Sequence, residues 1–468
     1  MTATRIPRAC VIGAGSAGLA ACAGLKNAGI AFDCYEKSDR VGGLWVFDNP
    51  SGVAAAYRTL SSNAPKAYMG YRDFPMPDDL PAYPSHWDFA RYFDDYARHH
   101  GLHDHIQFQT EVTRVTPLDG GGFEVRLADG RVQLYDQVLV ANGHHWDARM
   151  PEPMFPGDFA GTVMHSRDYR DAAFMAGKQV VVVGIGNSAV DIACEAAHLA
   201  DKTYLSVRRG AHIMPKYVFG MAPPNWLLNS ASHKPGRVLL GALMRLVNGR
   251  AQDYGLPAPD HSFGDAHPTM SAGLMDELRL GRITPKPPIA ELLGDRVRFA
   301  DGSIEAVDVI VCATGYRITF PFFDQAYVSA PDNQIALYHR VVDPDRPGLF
   351  FVGLCQPLGA IQPLAELQGK WIGELLAGRC ALPTAELMRR AIDADQRWLR
   401  KRFIDSTRHT VQVDHNHYLK TLRREIRAGR RRARRLGPNP VGPHTGSPRL
   451  VSSATGLTDT DLPQRPAQ

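Results

Sequence analysis

Two short glycine-rich segments carry the residue types that bind nucleotide phosphates. Val11-Ile12-Gly13-Ala14-Gly15-Ser16-Ala17-Gly18 stands near the start of the chain, and Val180–Val183 runs into Gly184-Ile185-Gly186-Asn187-Ser188-Ala189. Each follows a short apolar run and precedes an Ala-rich segment of helical pattern. In that setting the first glycine makes a tight turn and the second lets backbone approach a pyrophosphate. The third small residue lets helix and strand pack closely, and the helix N-terminus faces the anion. Ala189 takes the place of the third glycine in the second turn, a replacement the fingerprint accommodates. Two such turns imply two dinucleotides and redox chemistry between them.

The residue that ends the second strand of each unit distinguishes the nucleotides. In the first unit, Ile30-Ala31-Phe32-Asp33-Cys34-Tyr35 ends at Glu36, with Lys37 beside it. A carboxylate there accepts hydrogen bonds from ribose hydroxyls. In the second unit, Tyr204-Leu205-Ser206-Val207 ends at Arg208-Arg209, in nearly the same register from the first glycine. An arginine there pairs with a ribose 2′-phosphate, which a carboxylate would repel. The expected occupants are FAD at the first turn and NADPH at the second. The NADPH site then comprises Gly184, Gly186, Asn187, Ser188, Ala189, Val190 and Asp191, with Arg208 and Arg209.

The elements that position these residues follow from pattern. The expected fold class is α/β, with two Rossmann-like dinucleotide-binding domains and the NADPH domain inserted into the FAD domain. The first part of the FAD domain covers residues 5–162, with a hairpin-like β region at Gln107–Leu139. Its strand Gln137–Ala141 ends in Asn142-Gly143-His144-His145. The NADPH domain covers 163–310, with a partly helical insertion at about 214–275. The chain returns to the FAD domain over 311–396, where Leu349–Gly353 reads as a last strand and Ala365–Leu376 as a helix aimed at the flavin. A basic helical segment, 397–436, and a Pro/Gly/Ser/Thr-rich tail, 437–468, expected to be disordered, complete the organisation.

Composition sets the class. The chain has 468 residues, 44% hydrophobic and 22% charged, as in ordinary globular proteins of two or three domains. A net charge of +5 is too mild to call for nucleic acid, and the basic run ending at Arg435 reads as a solvated helix end. The basic-then-apolar N-terminus resembles a secretory leader, but its apolar run holds the first glycine turn and is read as strand and helix. No stretch approaches the roughly 18 uninterrupted apolar residues of a membrane span. The seven cysteines are scattered without a C-x-x-C pair. That spacing suits a reducing cytoplasm and supplies no local redox disulfide. Reduced flavin must therefore pass its electrons elsewhere, with O₂ as the evident acceptor.

With both turns placed, the connecting motifs over roughly residues 5–400 resemble the flavin-containing monooxygenases. Phe159-x-Gly161-x-x-x-His165-x-x-x-Tyr169 matches that family's fingerprint just ahead of the second nucleotide strand. The resemblance implies that His165 shapes the interdomain hinge and nicotinamide pocket. Ser62-Asn63-Ala64-Pro65-Lys66 followed by Asp73-Phe74-Pro75 is similar to the family segment whose asparagine meets both the flavin ring and NADP⁺. Asn63 suits that role, because an amide donates and accepts hydrogen bonds without titrating. By the same resemblance, Gly42-Gly43-Leu44-Trp45 lies along the FAD diphosphate and flavin, so that Gly43, Leu44 and Trp45 join Ser62 and Asn63 in the FAD site. Gln368 is placed near the flavin pyrimidine, and Ala313-Thr314-Gly315-Tyr316 forms an interdomain link. Baeyer–Villiger relatives usually carry Trp in place of Tyr169, together with a Tyr/Phe-Pro-Gly segment and a Cys-Asp that this chain lacks. Animal members end in a hydrophobic anchor, whereas this tail is polar, which implies a soluble enzyme of bacterial type.

The implied activity is an NADPH- and O₂-dependent monooxygenation of soft nucleophiles, amine nitrogen or thioether sulfur, through a flavin C4a-hydroperoxide that Asn63 and NADP⁺ shield from water. No substrate acid or base is needed for such nucleophiles, and no acid/base pair stands out. Baeyer–Villiger oxidation of ketones and a non-oxygenating NADPH-flavin reductase are the rival readings. A regulatory module without turnover is disfavoured by two intact nucleotide turns. Homodimerisation is a family expectation, and no metal is implied.

Overall fold

The computed structural model describes residues 8–53, 55–223, 234–403 and 410–437. Its frame is two five-stranded parallel sheets. In the first, the strands run Leu349–Phe351, Gln137–Val140, Arg8–Ile12, Ala31–Tyr35 and Ile106–Gln107. Arg8–Ile12 lies at the centre, with Ile12 opposite both Tyr35 and Val140. In the second, the order is Thr162–His165, Val309–Cys312, Gln179–Val183, Lys202–Ser206 and Ile283–Lys286. The central strands of the second sheet are rich in Val and Ile because helices or β layers cover both faces; Val180, Val181, Val182 and Ile310 are fully buried. Each such side chain contributes about 1.5–3 kcal/mol of burial.

An antiparallel layer of Val112–Pro117, Phe123–Leu127 and Val132–Tyr135 forms within the segment expected to be hairpin-like. A four-stranded layer, Ile304–Ala306, Arg296–Phe299, Ile289–Gly294 and Gly157–Phe159, backs the second sheet. This layer moves the boundaries read from the sequence. Gly157–Phe159 already pairs with the second unit, ahead of residue 163. At the other end, Val309–Cys312 bonds to both neighbours through Cys312, so a boundary at 310 would cut a continuous ladder. Tyr316–Arg317 then pairs antiparallel with Asp147–Ala148, which ties the two crossings between units together.

The helix after the first turn, Ser16–Ala28, packs on Gln362–Leu376 through glycines. A Cβ on Gly369 would stand 2.3 Å from the Ala20 carbonyl oxygen, so only glycine permits the approach. The basic segment 397–436 is not an appendage. Its residues fall into the end of helix Ala385–Arg402 and into helix His415–Leu436. Tyr418, Leu419, Leu422 and Ile426 share one face of the latter and join the core beneath the first sheet. The arginines that dominate its composition occupy the other faces. Asp414 caps this helix by accepting from the His417 N–H at 3.0 Å. Within the 214–275 insertion, helix Lys234–Asn248 is present, while residues 224–233 lie outside the described residues. Apart from Gly437, so does the whole of the tail expected to be disordered. Among the described residues, no helix is long and apolar enough to cross a membrane.

Candidate active site

Both glycine turns open onto one cavity of about 1170 Å³. That exceeds the roughly 300–1,000 Å³ of a site for one small molecule, as two ligands sharing a space require. The turns are built alike. Gly13 has φ +100° and Gly184 φ +129°, and a Cβ on either would lie 2.7 Å from a carbonyl oxygen, of Ala141 and Ala313 respectively. Each glycine N–H donates back to its neighbouring strand, Gly13 to Tyr35 at 2.8 Å and Gly184 to Ser206 at 2.9 Å. Gly15 and Gly186 precede their helices in nearly the same extended conformation, and neither helix has a side-chain cap. The orphan N–H groups at both N-termini thus point to an anion from outside the chain. Gly18 stays out of the cavity, where a Cβ would sit 1.8 Å from the Gly13 oxygen and force helix from strand.

The strand ends differ. Glu36 is buried and accepts from the N–H groups of Ala14 (2.6 Å) and Ser38 (2.7 Å). Burial raises its pKa while these bonds oppose the rise. Its remaining lone pairs face the cavity that it lines. Lys37 lines the same wall and pairs with Glu111 at 3.0 Å. At the second strand end, Arg209 is held by Asp260 at 2.7 Å. Arg208 is exposed on the cavity wall and has no hydrogen-bond or ion-pair partner among the described residues.

Asn63 lines the same cavity, and its buried Oδ1 has no hydrogen-bond partner among the described residues. An orphaned buried carbonyl costs about 1–3 kcal/mol unless a ligand supplies a donor. Gly43, Leu44 and Trp45 line the wall beside the first turn. A Cβ on Gly43 would stand 3.1 Å from the Gly15 Cα, and Trp45 stacks on Phe89 with ring centroids 4.0 Å apart. Gly15, Ser16 and Ala17 at the first turn, and Gly186, Asn187, Ser188 and Ala189 at the second, complete the facing surfaces. Uncapped helix ends, a buried acceptor at one strand end, an exposed guanidinium at the other and an unsatisfied amide on the shared wall fit FAD and NADPH.

Six expected site residues do not reach the cavity. Ala14 and Gly18 shape the first turn from behind. Ser62 is buried, and its hydroxyl donates to the Ala64 carbonyl at 2.9 Å, closing the turn that presents Asn63. Val190 is in the core, and Asp191 accepts from the Tyr57 hydroxyl at 2.5 Å. Gln368 is a correction of another kind: its amide accepts from the Gly353 N–H at 2.8 Å and donates to the Tyr418 hydroxyl at 2.7 Å. It fixes the loop behind the site and does not line the cavity. His165 is also buried off the wall, with its ring edge-on to Tyr316, which does line the cavity. Burial lowers its pKa.

Other lining residues went unread. Asn142 and His144 follow strand Gln137–Val140 at the carboxyl edge of the sheet, where open α/β folds bind ligands, so their position was a usable signal. Gln362, at the start of helix Gln362–Leu376, is fully buried on the wall with both amide atoms unpartnered. Thr410, Val411 and Asp414–Asn416 reach the wall from the C-terminal segment without any local motif. Two of the scattered cysteines lie behind the first turn: Cys34, whose thiol donates to the Gly13 carbonyl at 3.7 Å, and Cys22 on the helix that follows the turn. Both are free, buried and away from the cavity.

Comparison with known proteins defines the class. The family model for flavin-binding monooxygenase-like proteins matches residues 6–431. Rat flavin-containing monooxygenase 5 is 36% identical over 87% of this chain and 80% of its own length. Rat dimethylaniline monooxygenase [N-oxide-forming] 2 is 33% identical over 90% of this chain and 83% of its own. Among solved structures, S-allyl-L-cysteine S-oxygenase from Allium sativum superposes with a TM-score of 0.68 at 26% identity, covering 90% of this chain and 88% of that one. The chain belongs to the flavin-binding monooxygenase-like family, and it is a flavin-dependent oxidoreductase.

Proposed function

We propose that this monooxygenase holds FAD at the Gly13 turn and NADPH at the Gly184 turn, and transfers one oxygen atom of O₂ to an amine nitrogen or thioether sulfur. The unsatisfied Asn63 carbonyl, buried on the wall of the one cavity that both uncapped nucleotide turns line, carries this reading. The names of the N-oxide-forming relative and the S-oxygenase support the substrate class. For an amine the balance is R₃N + O₂ + NADPH + H⁺ giving R₃N–O, H₂O and NADP⁺. Bound FAD supplies the chemistry, accepting hydride and activating O₂.

The residues supply placement and exclusion of water. Glu36 receives the FAD ribose hydroxyls, and the N–H groups of Gly15 and Ser16 the diphosphate. Arg208 pairs with the 2′-phosphate of NADPH, beside Arg209. Asn63 orients nicotinamide against flavin and keeps water from the reacting edge. Its neutral amide does this without offering a proton. No acid or base acts on the substrate, because the attacking lone pair on nitrogen or sulfur carries no proton to remove. Seven free cysteines fit a reducing cytoplasm, and a homodimer is the family's expected assembly, to be read by light scattering.

The test is turnover under ¹⁸O₂ with a tertiary amine, a thioether and a cyclic ketone. One ¹⁸O atom in an N-oxide or sulfoxide per NADPH supports the proposal. A labelled lactone as the main product moves the assignment to ketone oxidation. NADPH oxidation that yields only H₂O₂, or electron transfer without O₂ uptake, refutes oxygenation.

A further inference from the structure

The stretch Tyr57–Asn63 belongs to the first unit but is fastened to the second. The Tyr57 hydroxyl donates to Asp191, the Thr59 hydroxyl to Glu195, and the Arg58 N–H to the Arg170 carbonyl at 2.8 Å. Asp191 and Glu195 lie one turn apart on helix Asn187–Ala196, whose N-terminus is the second nucleotide turn. The fastening nearest Asn63 is a lysine. Lys216 Nζ donates to Ser61 Oγ at 2.6 Å, two residues before Asn63. On its other side Ser61 bridges Ser85, and the Ser62 N–H donates to the Pro84 carbonyl at 2.9 Å.

Lys216 is an expensive residue in this place. It is only 7% exposed, and among the described residues its ammonium has one hydrogen-bond acceptor, the Ser61 hydroxyl, with the Tyr83 ring centroid 5.5 Å away. The Tyr83 hydroxyl in turn donates to the Lys216 carbonyl, so the backbone is held as well. Burial lowers the lysine pKa, and the Asp191 carboxylate opposes that shift. An apolar side chain would pack here without the desolvation cost of a cation. What the cation adds is direction, because it fixes Ser61 to the segment that follows strand Ile213–Met214 of the second unit.

We infer that Lys216 is a positioning residue that ties the Asn63-bearing stretch to the second nucleotide unit, so that the nucleotide-bound arrangement holds the Asn63 amide at the cavity wall during oxygen transfer. This rests on the role proposed for Asn63. The coupling is mechanical: the Lys216 ammonium holds Ser61 and the Asp191 carboxylate holds Tyr57, so two elements of the second unit grip one short stretch.

The experiment compares H₂O₂ formed per NADPH oxidised, with saturating amine, in the wild-type holoenzyme, Lys216→Met, Lys216→Arg, Asn63→Ala and the Lys216→Met/Asn63→Ala double variant. The expected result is at least a threefold larger H₂O₂ share in Lys216→Met, near-normal coupling in Lys216→Arg, and no further leak when Lys216→Met is added to Asn63→Ala. Non-additivity of that kind marks two residues acting through one another. Wild-type coupling in Lys216→Met, or full additivity in the double variant, overturns the inference and leaves the Asn63 reading standing. Normal coupling in Asn63→Ala overturns both. If Lys216→Met fails to retain FAD, Ser61→Ala removes only the acceptor hydroxyl and replaces it in the same comparison.

Discussion

The two nucleotide turns are close copies in backbone and opposites in charge. Gly13 and Gly184 share a left-handed conformation and the same 2.7 Å clearance to a carbonyl, and both helices start uncapped. Backbone of this kind binds pyrophosphate and reads nothing else. The strand ends differ in one residue: a buried carboxylate bound to two N–H groups at Glu36, an exposed guanidinium without a partner among the described residues at Arg208. In the proposed arrangement a repeated device serves two different cofactors through that change at its rim, and the shared cavity would bring their reactive ends together.

The strongest way to break the symmetry is to disable one turn. Gly184→Val places a branched side chain at φ +129° against the Ala313 oxygen. The expected outcome is FAD content near wild type with NADPH-driven turnover reduced at least 100-fold. Gly13→Val should instead give protein without flavin, read by its absorbance. Loss of flavin from the Gly184 variant would reverse the assignment of the sites.

Next in size is the rim. Arg208→Ala removes a charge-assisted contact worth about 1.5–3 kcal/mol, which is roughly 10- to 150-fold in NADPH affinity. NADH should be affected by less than threefold, so the NADPH/NADH ratio of kcat/KM reports the contact. An equal loss for both nucleotides would place the 2′-phosphate elsewhere.

The smallest effect concerns pH. His165 is buried with its pKa lowered from 6.5, so between pH 6.5 and its folded value the unfolded chain binds more protons. Stability therefore falls as pH drops through this window, by at most about 1.4 kcal/mol per pH unit from this group. His86 is buried and shifted in the same direction. His165→Asn should show a shallower decline in Tm between pH 6.5 and 5 than wild type. An unchanged slope would mean that His165 does not contribute.

Much of this architecture was legible because it is local. A glycine turn, the strand before it and the residue ending the next strand are all fixed within a few tens of residues. Gln368 failed for a physical reason: six residues along a helix turn the side chain by about 240°, so Gln362 and Gln368 face different ways. Which of them meets the cavity is set by glycine packing against helix Ser16–Ala28, and no pattern in the segment itself records that partner. The C-terminal segment misled through composition, since its arginines outnumber the four apolar residues that dock it. Ser62, Val190 and Asp191 adjoin residues that do line the cavity, but neighbours in sequence point apart.

The most direct test of the central claim, that Asn63 stands between two bound dinucleotides and guards oxygen transfer, is the H₂O₂ yield per NADPH in Asn63→Asp with saturating amine. The account predicts normal FAD content and reduction by NADPH, with most reducing equivalents lost as H₂O₂. Coupling equal to wild type would contradict it.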